Sequence, residues 1–253
     1  MEHIENVGHM ENADSDNPRN VTRHELKYYI GYSDYIVLRD ILSKIMKPDL
    51  HNKTDNPDKS FEPARKGYFI RSLYFDTKHD ISYSEKLGGF ENRNKFRIRI
   101  YGFDSGKAKC EIKSKFNDQI MKETAIIDRK DVPNIVAGEY ECLLRYKSKT
   151  LNKVYYRFVS DYFRPVVLVD YYREAYHYDI NNIRLTFDRF LAKNDTEPEL
   201  YDRELPMTPV FGKHKMILEV KYDNQLPSWI RSNLKLKAFE RCAISKYCHA
   251  RAI

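Results

Sequence analysis

The feature that most constrains this chain is an alternation of charged and apolar residues that returns in segment after segment. In Phe96-Arg97-Ile98-Arg99-Ile100 two arginines alternate with apolar side chains. Glu25 and Lys27 share a face opposite Leu26 and Tyr28, while Glu111, Lys113 and Lys115 oppose Cys110 and Ile112. Lys122 falls on the side of Thr124; Arg184, Thr186 and Asp188 oppose Ile183, Leu185 and Phe187; Glu219 and Lys221 oppose Leu218 and Val220. A repeat of two is that of a β-strand, whose successive side chains point to opposite faces. Each segment therefore reads as a strand with one apolar and one mixed-charge face, and the fold must bring the apolar faces to a core.

Strand-like runs cover 21–30, 68–76, 95–103, 107–115, 119–128, 164–172, 182–190 and 213–222. Short links such as Asp104-Ser105-Gly106 and Asn117-Asp118 read as hairpin turns, so the pairing is mainly antiparallel. After the first strand, Ser33 is placed to cap a helix whose apolar positions Ile36, Val37, Leu38, Ile41, Leu42 and Ile45 recur at helical spacing and which ends before Pro48. Residues 48–66, with three prolines among Asn, Asp and Lys, read as a long exposed loop. Residues 139–161 are expected to be helical, and 228–250 to give one or two more helices. Eight antiparallel strands can close into a barrel, which removes exposed edges. The expected class is α+β, a closed or nearly closed eight-stranded antiparallel β-barrel with flanking helices.

With 253 residues, 42% of them hydrophobic, the chain suits a single core, so one domain is expected from 21 to 253 behind a polar, mobile tail at 1–20. No run approaches the ~20 apolar residues of a membrane span and the start is not built like a signal peptide, so a cytoplasmic location is expected. Cys110, Cys142, Cys242 and Cys248 include no Cys-x-x-Cys pair, which argues for reduced, mostly buried thiols rather than a disulfide framework or a zinc site. Nine glycines argue against glycine-rich phosphate loops, and no Gly-x-x-x-x-Gly-Lys segment is present.

The formal charge of +7 favours anionic partners without naming one. The strand faces say more. If the apolar faces pack outward on helices, the charged faces line the inside, and so many buried cations need an anionic ligand. Otherwise the sheet is open to water on that side. Arginine grips phosphate oxygens in pairs, lysine supplies point charge, and carboxylates among them suit a divalent cation bridging phosphates. Nucleic acid is not expected: it calls for cations with aromatics on an exposed platform, whereas here the cations share faces with glutamates that repel a phosphate backbone.

Seven ordered motifs carry a resemblance: Arg23-His24-Glu25-Leu26-Lys27-Tyr28, Ser72-Leu73-Tyr74-Phe75-Asp76, Phe96-Arg97-Ile98-Arg99-Ile100-Tyr101-Gly102, Cys110-Glu111-Ile112-Lys113, Tyr172-Arg173-Glu174-Ala175-Tyr176, Leu218-Glu219-Val220-Lys221 and Ser245-Lys246-Tyr247. From about Val21 to the C-terminus the chain resembles the catalytic domain of the vacuolar transporter chaperone (VTC) family, polyphosphate polymerases of the triphosphate tunnel metalloenzyme superfamily. The resemblance implies a triphosphate tunnel that takes ATP, polyphosphate or pyrophosphate, with Mn2+ or Mg2+ on the triphosphate. It implies Lys27, Arg97, Arg99, Lys113, Lys122, Arg173 and Arg184 as the basic phosphate contacts. Glu219 matches the metal-binding glutamate and Lys246 a lysine at the tunnel mouth, with Ser245 beside it as a hydrogen-bonding partner for phosphate. Glu25 and Glu111 fit the superfamily's acidic wall. Unlike the larger eukaryotic members, this sequence shows no phosphate-sensing domain and no transmembrane region, which leaves a soluble enzyme or a separate membrane partner as alternatives.

The reaction so implied is in-line transfer of the terminal phosphoryl group of ATP to a phosphate chain, which demands alignment and charge neutralisation more than covalent chemistry from the protein. Two alternatives stay open: a tripolyphosphatase or nucleoside triphosphatase, in which water is the acceptor, and a non-enzymatic polyphosphate-binding module.

Overall fold

The computed structural model describes residues 23–53, 67–117, 119–212, 214–234 and 239–252. The expectations for the tail at 1–20, the first residues of strand one and the loop at 54–66 lie outside them. Among the described residues ten strands are present: β1 (Arg23–Gly31), β2 (Lys47–Pro48), β3 (Tyr68–Asp76), β4 (Arg93–Ile100), β5 (Lys107–Phe116), β6 (Gln119–Asp128), β7 (Arg164–Tyr178), β8 (Ile183–Asn194), β9 (Thr208–Pro209) and β10 (Lys215–Asp223). The α-helices of the described residues are α1 (Tyr32–Ile45), α2 (Ile81–Leu87), α3 (Val132–Ala137), α4 (Lys149–Ser160), α5 (Ser228–Asn233) and α6 (Lys246–Arg251).

The eight long strands form one antiparallel sheet in the order β1-β10-β8-β7-β3-β4-β5-β6, with β2 added to β7 and β9 to β8. Among the described residues no ladder joins β1 to β6, so the sheet is a half-barrel open along that seam. It is nevertheless strongly curled. Lys113 of β5 reaches Glu25 of β1 at 3.1 Å although five strands separate the two in the sheet. A flat sheet, with strands about 4.8 Å apart, would hold them more than 20 Å away from each other.

The period-two pattern dictates how the faces pack. On the convex side, Leu73, Phe75, Phe96, Ile98, Ile100, Cys110 and Ile112 meet Val132 and Ile135 of α3 and Leu151, Val154 and Phe158 of α4. Farther round, Tyr28, Leu185, Phe187, Leu218 and Val220 meet Tyr35, Leu38 and Leu42 of α1 and Ile230 of α5. Each large side chain buried this way is worth roughly 1.5–3 kcal/mol, so the helices fix which face points out. A third cluster lies on the concave side, where Ile70, Val169, Leu191 and Ile217 receive Ile244, Tyr247 and Ala250 in and around α6. The fully buried Asp76 holds that helix in place: its carboxylate accepts from the Tyr247 hydroxyl and from the backbone N–H groups of Thr77, Ser82 and Tyr83.

Several local expectations need correction. The cap of α1 is Gly31, whose N–H donates to Asp34 Oδ2 at 2.9 Å, so Ser33 lies inside the helix rather than capping it. The start of the expected loop at 48–66 is tied to β7: Asp49 N–H donates to the Ala175 carbonyl at 2.9 Å, and the Asn52 side chain both donates to and accepts from the Ala175 backbone. An Asn amide can stand in for a strand's peptide group, and here it ends the β2 edge. The 139–161 region divides into a 3-10 turn at Tyr140–Tyr146 and α4, which Ser148 caps. All four cysteines are free thiols, with Cys110, Cys142 and Cys248 buried. Among the described residues no helix is long and apolar enough to cross a membrane.

Candidate functional site

The concave face gathers the charged stripes into three stations, each built around one or two carboxylates. The first is Glu111, at the middle of β5 and 1% exposed. Arg97 Nε donates to its Oε2 at 2.6 Å, Arg99 approaches the same oxygen at 3.9 Å, and Lys122 pairs with Oε1. The strand register brings these together, since Glu111 lies opposite Arg97 on β4 and Thr124 on β6. Burial alone would raise the Glu111 pKa, but the two guanidinium groups and the Lys122 ammonium outweigh it and hold the carboxyl at about 2. Arg99 also donates to Ser72 Oγ at 2.9 Å. Tyr74 accepts from Arg97 at 3.2 Å; burial raises its phenol, yet Arg97, Arg99 and Lys246 bring it down to about 8.

The second station joins β7, β8, β10 and α6. Arg173 forks onto Asp188 with bonds of 2.6 and 2.7 Å, and the Nη2 of that fork also lies 3.6 Å from Glu219 Oε2. Lys246, carried in on α6, pairs with Asp188 and lies 4.0 Å from Glu219. Lys221 holds the second Glu219 oxygen at 2.8 Å. Both carboxylates are buried, which opposes ionisation, but the surrounding cations prevail: Asp188 stands at about 2 and Glu219 well below its ordinary value.

The third station is Glu25, which bridges Lys27 at 2.9 Å and Lys113 at 3.1 Å across the lumen. Burial favours the neutral amine at Lys27, but Glu219 and Glu25 more than compensate and raise its pKa; at Lys113 burial wins and lowers it. Ser245 accepts from Lys95 Nζ at 2.8 Å and also caps α6 by accepting from Cys248 N–H. Lys95 has no carboxylate within ion-pair distance among the described residues, and burial brings its ammonium down to about 8.

The structure thus brings Glu25, Lys27, Arg97, Arg99, Glu111, Lys113, Lys122, Arg173, Glu219, Ser245 and Lys246 to one concave surface. Arg184 lies on the same face of β8, opposite Lys221 in the β8–β10 register, and is bonded to Asp49 at 2.9 Å and Tyr68 at 3.2 Å. Sequence reading left out Lys95, Asp188, Lys221 and Tyr74 as site residues. Lys95 continues the Arg97/Arg99 alternation by one step, and Asp188 and Lys221 were visible on charged faces; Tyr74 sits in the Ser72–Asp76 motif, where nothing sets it apart from many other tyrosines as a site residue.

No group of three Asp, Glu, His or Cys among the described residues is arranged to hold a metal ion without help. The donor set does fit an ion that arrives on a phosphate chain, since Mg2+ and similar cations commonly take one or two carboxylates and draw their remaining ligands from phosphate and water. Glu219 and its neighbour Asp188 supply that number.

Among solved structures, a candidate adenylyl cyclase from Hippeastrum with a dominant triphosphatase activity aligns with a TM-score of 0.53 at 17% identity, covering 90% of this chain and 96% of that one. A candidate adenylate cyclase from Bacillus halodurans aligns at 0.47 and 9% identity, with 87% and 92% covered. No curated protein matches the chain by sequence. The model of the VTC domain matches residues 22–253, all but the beginning of the sequence, and the chain belongs to that family.

Proposed function

We propose that the chain is an ATP-dependent polyphosphate polymerase working in the lumen of its curled sheet. The observation that supports this most is the convergence of cations from β1, β4, β5, β6, β7, β10 and α6 on one concave surface, with every carboxylate there serving two or more of them. Such a surface holds an excess of positive charge along a line, which suits a linear chain of phosphates better than a compact anion.

In this reading Arg97, Arg99 and Lys122 bind one stretch of the phosphate chain and Arg173, Lys246 and Lys27 another. They hold the terminal phosphoryl group of ATP in line with the acceptor oxygen. The bond between that phosphorus and its bridging oxygen breaks, a new P–O bond forms to the end of the chain, and ADP leaves with the electron pair. The fixed guanidinium and ammonium groups neutralise charge on the transferring oxygens without having to reorganise. Glu219, with Asp188 beside it, would hold Mn2+ or Mg2+, which supplies further neutralisation of the triphosphate.

A second reading has one observation in its favour. The Hippeastrum protein of similar fold is a triphosphatase, and the same lumen with water as acceptor would release orthophosphate. Purified protein incubated with ATP, pyrophosphate and Mn2+ or Mg2+ separates the two. A polyphosphate ladder on a stained gel with matching ADP release is the expected result. Orthophosphate without a ladder would replace the polymerase by a triphosphatase, and tight polyphosphate binding without turnover would make the chain a binding module.

A further inference from the structure

Thr186 lies on the charged face of β8, between Arg184 and Asp188. Its Cα pairs with Glu219 on one side and Ala175 on the other. The residue is 4% exposed, and its hydroxyl oxygen is buried with no hydrogen-bond partner among the described residues. A buried hydroxyl left unpartnered destabilises a fold, and native structures rarely retain one without a reason. Valine has the same shape, fits a strand at least as well and carries no such penalty. A threonine here therefore gives up stability for something the free protein does not use.

Its surroundings indicate what that is. The neighbouring carboxylates of Asp188 and Glu219 are already engaged by Arg173, Lys246 and Lys221. The hydroxyl is the neutral group at this station, with its proton uncommitted. We propose that Thr186 is a substrate-contacting residue whose hydroxyl donates a hydrogen bond to a phosphoryl oxygen of a bound triphosphate or polyphosphate chain, beside Arg173 and Lys246. This rests on the reading of the lumen as a phosphate site.

The test sets stability against binding. Thr186→Val and Thr186→Ser are compared with the unaltered chain by thermal unfolding without ligand and by calorimetric titration with tripolyphosphate, without added metal and with Mn2+. Thr186→Val is expected to unfold about 2–4 °C higher, because it removes the orphan hydroxyl, and to bind tripolyphosphate about tenfold or more weakly in both titrations. Thr186→Ser, which keeps the hydroxyl, should retain affinity. Lower stability of Thr186→Val, unchanged affinity, a loss shared equally by the serine variant, or a loss seen only with Mn2+ would each overturn the assignment. If the unaltered chain itself fails to bind tripolyphosphate, the reading of the lumen falls along with it.

Discussion

Replacing Glu111 with Gln tests whether the lumen's cations are held in place by their own carboxylates. Burial disfavours the Glu111 charge, yet Arg97, Arg99 and Lys122 bring its pKa from an ordinary 4.5 to about 2. With 1.36 kcal/mol per pKa unit, that difference corresponds to about 3 kcal/mol of stability at neutral pH, which agrees with the cost of breaking a buried ion pair, about 3–5 kcal/mol. Because the folded-state pKa is depressed, this stability is fully present above 4.5 and is lost as pH falls towards 2. Glu111→Gln should therefore unfold at lower denaturant concentration at pH 7, by an amount equivalent to about 3 kcal/mol. The gap to the unaltered chain should narrow between pH 4.5 and 2. Tripolyphosphate should restore more stability to the variant than to the unaltered protein, since it supplies the missing counter-charge. Equal stability at pH 7, or a gap that does not depend on pH, would refute the account.

Two further changes act on the frame of the site. Burial brings the Lys95 ammonium from 10.5 down to about 8, so at neutral pH its charge opposes folding, and that penalty is relieved as pH rises from 8 to 10.5. Lys95→Met should be more stable than the unaltered chain at pH 7 and lose this advantage over that window in thermal melts. Gly67 has a φ of +102°, and a Cβ there would come within 2.3 Å of the Arg173 carbonyl oxygen. Gly67→Ala should cost more than about 1 kcal/mol in chemical denaturation and weaken phosphate binding by displacing Arg173; unaltered stability would contradict the close approach.

The alternating stripes made most of the fold readable, because apolar and charged faces must separate whatever the topology. What failed to show was set by contacts distant in sequence. The strand expected to stop at Tyr172 runs to Tyr178 as β7. The charges of Arg173 and Glu174 look like a break, but Glu174 is buried on the convex side. There it accepts hydrogen bonds from Tyr35, Arg39 and Tyr176. Helix α3 is six residues long, too short for a helical period to register. Within the site, the stripes identified Arg97, Glu111 and Glu219 individually. The partnership of Arg173 with Asp188 depends on the β7–β8 register, which has a bulge between Asp170 and Tyr172. The bond of Arg184 to Asp49, on the segment tied to β7, joins residues 135 apart in the sequence, and no local pattern foretold it.

The same electrostatics dictate how ligand affinity responds to pH. The counter-anions Glu111 and Asp188 ionise at about 2, so near neutrality they stay charged and contribute no pH dependence. Two lumen groups titrate at about 8, Lys95 and Tyr74. Above that pH Lys95 loses a positive charge, and Tyr74 gains a negative one that competes with phosphate for Arg97. Both changes disfavour a polyanion, so its affinity should fall as pH rises past 8, by up to about tenfold per pH unit for each group in the linkage limit. Tripolyphosphate titrations between pH 7 and 9.5 measure this directly. Lys95→Met and Tyr74→Phe together should flatten the profile. Affinity that is constant across the range in the unaltered chain would mean that neither group senses the bound chain, and the lumen would then have to bind phosphate away from the α6 end.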